Sequence, residues 1–225
     1  MNKWLLISVF CFGSTVCAAQ DEQVLSHIPA IGSAIKAFIP KGYDSVYSAR
    51  GDMNKDGLED VAIVLAKTVQ EPGDENVNDD PAKDADEGYR YLVVLLRTAN
   101  GWKLGGKSAT AVYCRTCGGV FGDPFESITI KKGVMVIEHY GGSHTRWAVT
   151  TRFQYRGDAF YLIGRTDANM ESTWDCDEQP IELTDTNLLT GERYRKTVTR
   201  ECKHVLDKKD RVPKSPLVRL EDVKE

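Results

Sequence analysis

The sequence contains no apolar run of about 20 residues, the length that a helix needs to cross a bilayer, so we expect no transmembrane anchor. It also lacks an excess of basic residues, because 29 Lys and Arg stand against 33 Asp and Glu and give a formal net charge of −4. A nucleic-acid-binding protein needs a clustered basic surface, so the composition argues against such a partner. The chain has no internal repeat, which excludes a many-bladed propeller.

The first 19 residues are typical of a secretory signal peptide. Lys3 precedes the short apolar run 4–12, and small residues follow up to Ala19. This order matches the charged, apolar and cleavage regions of a leader. We expect cleavage after Ala18 or Ala19 and a periplasmic or secreted protein, with a lipoprotein anchored at Cys17 as the alternative. Removal of Lys3 would change the formal charge from −4 to −5. The remainder, 20–225, is of a size to form a single domain.

Short apolar segments alternate with glycine-containing turns along most of the chain, which predicts antiparallel sheets or a hairpin meander. Apolar residues spaced by three and four predict one N-terminal amphipathic helix over 23–38, and 173–225 is a polar C-terminal segment with one hairpin that turns at 188–191. The fold class is therefore mainly β, within the α+β group. The predicted strands are 45–49, 61–68, 91–98, 102–111, 127–130, 134–140, 146–155 and 160–166.

The segment 71–88 has a different composition from its surroundings. It contains eight acidic residues, one lysine, two prolines and no aromatic residue. Such a segment cannot bury enough apolar surface to offset its ordering entropy. We therefore expect a mobile acidic surface loop. A second cation site there is an alternative, although its carboxylates show no ligand periodicity.

The segment 52–60 has the residue pattern of a calcium loop. Side-chain oxygens recur at every second position, Gly57 allows a sharp turn, and an aspartate closes the loop directly before the apolar run 61–65. A hard cation requires six or more oxygen ligands at short range, and the three aspartate carboxylates within these nine residues repel one another without a cation. The alternative is a polar turn that happens to be acidic. The expected Ca²⁺ ligands are Asp52, Asn54, Asp56, the carbonyl of Leu58, and Asp60.

This loop resembles the calcium loops of FG-GAP and VCBS-type repeats, as in integrin α-chain propellers, in which a D-x-[DN]-x-D-G-x-x-D sequence precedes a strand. It departs from an EF-hand loop after the glycine, because the closing aspartate arrives at the ninth position and a strand follows. The resemblance implies the same five ligands. Here the pattern occurs once rather than in each of several repeats.

Four cysteines remain after the expected cleavage, and an even number in an exported protein favours disulfides. Cys114 and Cys117 form a Cys-x-x-Cys pair, which we interpret as a structural disulfide that closes a loop. Glycines follow the pair and no βαβ pattern surrounds it, which argues against a catalytic dithiol. Cys176 and Cys202 are expected to form a second disulfide, although crossed pairings remain open.

Two histidines downstream of the cysteine pair raise two further hypotheses. His139 and His144 could complete a zinc site, but their distance from the cysteines is longer than in a usual zinc finger. The same histidines, with Glu138 or Asp123, could serve an envelope enzyme of the hydrolase type. The nucleophile motif G-x-S-x-G is absent, and a turn between two strands also explains this spacing.

The calcium loop, the sequence CxxCGGVFGDPF and the segment 139–143 together resemble a group of exported bacterial proteins with no characterised role. The resemblance covers about 39–166 and implies fold and compartment, with no activity to transfer. We therefore expect a non-enzymatic, calcium-binding module whose partner is another envelope protein. An inhibitor or immunity protein, the hydrolase-type enzyme, and a factor that only stabilises the envelope are the alternatives. Nothing in the sequence indicates an oligomeric state.

Overall fold

The computed structural model describes residues 23–68, 88–171, 181–199, 201 and 203–224. The expected signal peptide, most of the acidic segment (up to residue 87), Cys176 and Cys202 lie outside the described residues. Within those residues no helix is long and apolar enough to cross a membrane.

The prediction of a mainly β fold is confirmed. Two antiparallel sheets of five and seven strands account for most of the described residues, with strand orders β1-β5-β4-β3-β2 and β12-β11-β10-β9-β8-β7-β6. We refer to them as sheet A and sheet B. The strands are β1 Ile31–Gly32, β2 Tyr43–Gly51, β3 Asp60–Lys67, β4 Arg90–Thr98, β5 Gly101–Ser108, β6 Phe125–Lys131, β7 Val134–Gly142, β8 Thr145–Arg156, β9 Ala159–Glu171, β10 Glu182–Asn187, β11 Glu192–Val198 and β12 His204–Arg211.

The main core lies between the two sheets. Val64 of β3 and Leu92 of β4 belong to the same buried cluster as Met135 of β7 and Phe153 of β8. Alternate residues of a strand point to opposite faces of its sheet, so sheet B contributes the apolar side of an alternating pattern. The arrangement is a β-sandwich.

A second core covers the other face of sheet A. Ile63 of β3 and Val93 of β4 pack with Phe38 and Ile28 of the N-terminal segment. The central strands of sheet A are therefore buried on both faces, which explains why β3 and β4 have continuous apolar sequences rather than alternating ones.

The predicted N-terminal helix is present, but it covers only residues 23–26 instead of 23–38. Residues 23–26 form a single helical turn, β1 follows, and Ile35–Phe38 is a 3₁₀ helix. Pro29 lacks a backbone N–H and Gly32 weakens a helix. A built Cβ on Gly32 would also lie 2.7 Å from the Phe38 ring, so this glycine lets the segment fold back on itself. The apolar spacing still identified the residues that cover sheet A.

The C-terminal segment contributes more structure than the one predicted hairpin. The hairpin β10–β11 turns near residues 188–191, where it was expected, and β12 adds a third strand. A short 3₁₀ helix, Leu220–Asp222, then places the buried Leu220 in the main core. The polar composition of this segment concealed β12, because that strand lies at the edge of sheet B.

Candidate functional site

The proposed calcium loop lies where the two sheets meet. It joins β2 to β3 in sheet A, and Gly51 before it packs so closely on sheet B that a built Cβ would lie 2.6 Å from the Ile130 side chain. The β6–β7 turn also faces the loop, since a built Cβ on Gly133 would lie 3.5 Å from the Met53 carbonyl oxygen. The loop therefore contacts both halves of the sandwich.

The first three side chains of the expected ligand set are held by backbone N–H groups. Asp52 accepts hydrogen bonds from Lys55 N at 2.6 Å and Gly57 N at 3.0 Å. Asn54 Oδ1 accepts from Asp56 N at 3.1 Å. Lys55 and Gly57 both adopt positive φ, at 66° and 85°, so the chain curls around these side chains. Such curling is what brings alternate side chains of a loop to the same side.

Asp60 is fully buried and fixes both ends of the loop. Its Oδ2 accepts hydrogen bonds from Met53 N at 2.8 Å and Asn54 N at 3.4 Å, and its Oδ1 accepts from Arg97 N of β4 at 2.8 Å. Burial raises the pKa of Asp60; the three N–H bonds oppose this rise, and the negative charge of Asp56 adds to it. A cation near Asp56 and Asp60 would relieve this repulsion.

The donor atoms fit a hard cation, because all of them are oxygens and three belong to carboxylates. Each carboxylate has about four acceptor positions, and the N–H bonds to Asp52 and Asp60 leave some of them available. No three carboxylate, imidazole or thiol groups among the described residues converge into a metal-binding group. The three carboxylates of the expected set, those of Asp52, Asp56 and Asp60, are therefore not gathered into such a group, and the Asn54 amide oxygen and the Leu58 carbonyl would have to supply the other ligands.

No protein-family model matches this chain, and no curated protein or solved structure is significantly similar to it. Its function must therefore be argued from its own residues.

The cysteine pair and the glycines at the end of β7 form one structural unit. The structure contains the Cys114–Cys117 disulfide, so neither sulfur is a thiolate that could bind zinc. The loop then docks beside the end of β7, where Gly142 N donates to Gly118 O at 2.9 Å and Val120 N donates to Gly142 O at 3.0 Å. A built Cβ on Gly119 would lie 2.7 Å from the Gly142 carbonyl oxygen. Close backbone packing explains these glycines.

Arg90 anchors the same loop from sheet A. Its side chain is 3% exposed and donates to both carboxylate oxygens of Asp123, from Nη1 at 2.6 Å and from Nη2. The guanidinium also lies 5.5 Å from the ring centres of Tyr47 and Phe125. Burial tends to raise the pKa of Asp123, but the hydrogen bonds and charge of Arg90 outweigh it and lower the pKa.

His139 lies in the interior of the sandwich rather than in an open site. It is 2% exposed, its Nε2 accepts a hydrogen bond from Tyr113 N at 3.1 Å, and its ring stacks on Tyr113 at 4.2 Å. Its Nδ1 has no partner among the described residues. Burial, with the positive charge of Arg90, lowers the pKa of His139 to about 4. The imidazole is therefore neutral at pH 7.

The residues considered for an enzyme have different partners and surroundings. Glu138 and His139 are consecutive on a strand and point to opposite faces. Glu138 accepts a hydrogen bond from Ser127 at 2.7 Å, whereas His144 is 65% exposed and lies 3.1 Å from a Glu171 carboxylate oxygen. The structure does not bring these groups together around one reacting position.

The loop 109–124, which contains the disulfide and joins β5 to β6, has exposed apolar residues. Val120 is 83% exposed and Phe121 is 49% exposed. The Phe121 ring lies 5.5 Å from the Tyr140 ring, whose hydroxyl accepts a hydrogen bond from Arg146 at 3.1 Å. Sequence reasoning found this loop through its cysteines but missed Arg90 and Tyr113. A single charge at the start of an apolar strand gives no indication that it will be buried.

Proposed function

We propose that this protein is an exported calcium-binding β-sandwich that binds another envelope protein and has no catalytic activity. Asp52, Asn54, Asp56 and Asp60, with the Leu58 carbonyl, would hold the ion. The observation that carries the metal proposal is the loop itself. Its oxygen ligands sit on a curled backbone, and Asp60 connects the two ends of the loop to β4.

Calcium would neutralise the repulsion among the loop carboxylates. The residues of this chain then determine what that binding achieves. Gly51 and Gly133 place the loop against sheet B, and Asp60 connects it to the centre of sheet A. A rigid loop at this position would hold the two sheets in a fixed relation. Extracellular calcium modules bind at roughly 10⁻⁴–10⁻³ M, which suits a structural ion in an exported protein.

The metal proposal is tested by calorimetric titration with CaCl₂ and by melting curves with calcium or chelator. We expect heat of binding and a higher melting temperature in millimolar calcium, because a ligand of the native state stabilises it by mass action. Asp56→Ala should abolish both effects. Glu59→Ala is the matched control, because it removes an exposed carboxylate of the same loop that lies outside the ligand set. Absence of binding heat in the wild type would refute the proposal.

The partner proposal is supported by the exposed residues Val120 and Phe121, since exposed apolar side chains are typical anchors of protein interfaces. The Cys114–Cys117 disulfide supports an oxidising compartment. The tagged mature protein should capture a partner from envelope extracts, and Phe121→Ser should lose it, whereas Ile31→Ser, a change of another exposed residue, should not. Equal capture by both variants, or none by the wild type, would contradict this role.

Export is tested separately by cell fractionation and by mass spectrometry of the mature N-terminus. The expected result is a soluble envelope fraction that begins after Ala18 or Ala19. Retention of the full leader in the cytoplasm would contradict the proposed compartment.

A further inference from the structure

One face of strands β9 to β12 brings together residues that are far apart in the sequence. Strand pairing aligns two adjacent rows across these four strands. The shared face follows from the alternation of side chains along each strand. The first row is Arg165, Thr186, Arg193 and Asp210, and the second is Asp167, Thr184, Arg195 and Lys208.

These rows contain four cations and two carboxylates, a local excess of two positive charges. We call Arg193, Arg195 and Lys208 the cationic cluster. All three surround one carboxylate, that of Asp210, with nitrogen–oxygen distances of 2.9 Å, 2.7 Å and 4.0 Å respectively. The following row contains Glu182, so the positive excess is confined to these two rows.

Asp210 orients the cluster without saturating it. Arg193 uses Nε and Nη2 on Asp210, whereas Arg195 contacts it through Nη2 alone. The buried Nε of Arg195 has no partner among the described residues. The side chains of Arg195 and Lys208 are 34% and 55% exposed, so a ligand from solvent can reach them.

The opposite face of these strands differs in charge balance. On that face Glu192 pairs with Arg211 at 3.2 Å and Asp185 pairs with Arg152 at 3.2 Å. On β9 to β12 the three carboxylates of that face, Asp185, Glu192 and Asp207, stand against the three cations Lys196, Lys209 and Arg211, so it has no comparable surplus.

We propose that the cationic cluster binds a phosphate-type oxyanion. Guanidinium groups present parallel donors to phosphate oxygens, and an ammonium adds a point charge. Asp210 keeps the two arginines in place while leaving donors of Arg195 and Lys208 for the ligand. The hydroxyl of Thr184, in the same row as Arg195, is a further possible donor. The phosphate is either a soluble one or the headgroup of an anionic lipid.

Titration of the protein with inorganic phosphate in chelator, followed by NMR chemical shifts, tests this proposal. We expect saturable binding in the millimolar range. Lys208→Gln and Arg195→Gln should each weaken it roughly tenfold, as expected for loss of a charge-assisted hydrogen bond. Lys209→Gln is the matched control, because it removes the same charge one residue away on the opposite face, and should change the affinity less than twofold. Circular dichroism establishes that each variant is folded.

Sedimentation with vesicles of phosphatidylglycerol, against vesicles of phosphatidylcholine, separates the two sources of phosphate. Recruitment to the anionic vesicles that Lys208→Gln abolishes assigns a lipid headgroup, whereas phosphate binding without recruitment assigns a soluble ligand. Failure of wild type to bind phosphate, or equal effects of Lys208→Gln and Lys209→Gln, would overturn the proposal and leave a salt-bridge network that serves only the fold. Because chelator is present throughout, this outcome is independent of the calcium proposal.

Discussion

Asp60→Asn tests whether the buried carboxylate, apart from any ion, holds the loop to the sheet. The substitution preserves the size of the side chain but replaces one oxygen with an NH₂ group. In the wild type both oxygens accept backbone N–H bonds, from Met53 and Asn54 on one side and Arg97 on the other. An amide must therefore point a donor at another donor in a site with no exposure to solvent.

The expected destabilisation is about 2 kcal/mol. An unsatisfied buried group costs about 1–3 kcal/mol, and a hydrogen bond to a charged group contributes about 1.5–3 kcal/mol. The burial of the charged carboxylate cancels part of the stabilisation from these hydrogen bonds, as the raised pKa of Asp60 indicates. For a chain of this size, 2 kcal/mol corresponds to a decrease in melting temperature of about 4–8 °C.

Urea unfolding at pH 7 in chelator, followed by tryptophan fluorescence, measures the effect without a contribution from calcium. Asp56→Asn is the control: its exposed side chain contacts only neighbouring loop residues, so we expect a change below about 0.5 kcal/mol. The raised pKa of Asp60 also determines the direction in which stability changes with pH. Its contribution to stability should decrease as the pH rises from its ordinary value, 3.8, through the folded pKa, and this dependence should vanish in Asp60→Asn. Equal stability of wild type and Asp60→Asn in chelator would refute the reasoning.

Three other predictions test the remaining features of the site. The pKa of His139 is lowered from 6.5 to about 4, so the contribution of the neutral imidazole to the free energy of unfolding should be fully present above pH 6.5. It should fall by up to about 3 kcal/mol as the pH decreases to 4. A pH series of urea unfolding should show a shallower dependence in His139→Gln. Asp123→Ala should lower the free energy of unfolding by about 3 kcal/mol, because it leaves the buried guanidinium of Arg90 without its partner. Arg90→Met should lower it less, because Asp123 is 38% exposed and can be hydrated. The reverse order in urea unfolding would contradict the assignment. Cys114→Ser with Cys117→Ser should lower stability by about 2 kcal/mol, as expected for so short a closed loop, and thiol titration of the unfolded wild type should show no free thiol at either position; two reactive thiols there would exclude the disulfide.

The sequence by itself determined the class of fold and the approximate positions of eight of the twelve strands. Glycine turns and short apolar segments are local signals, and they placed the hairpins β4–β5, β6–β7 and β8–β9 close to their observed positions. The loop 52–60 joins β2 to β3, as its sequence predicted, and the calcium site within it stays a prediction. The predicted N-terminal helix covers only 23–26, because most of the apolar spacing over 23–38 reflects burial against sheet A rather than a helical backbone.

Only the tertiary structure decided which distant residues meet. Gly118 and Gly142 pair across 24 positions, Arg90 reaches Asp123, and two strands, β11 and β12, bring Arg193, Arg195 and Lys208 to one carboxylate. Such meetings depend on the register between strands, and a shift of one residue would move each side chain to the other face. Register is set by packing of the whole core, which no single segment of the sequence contains.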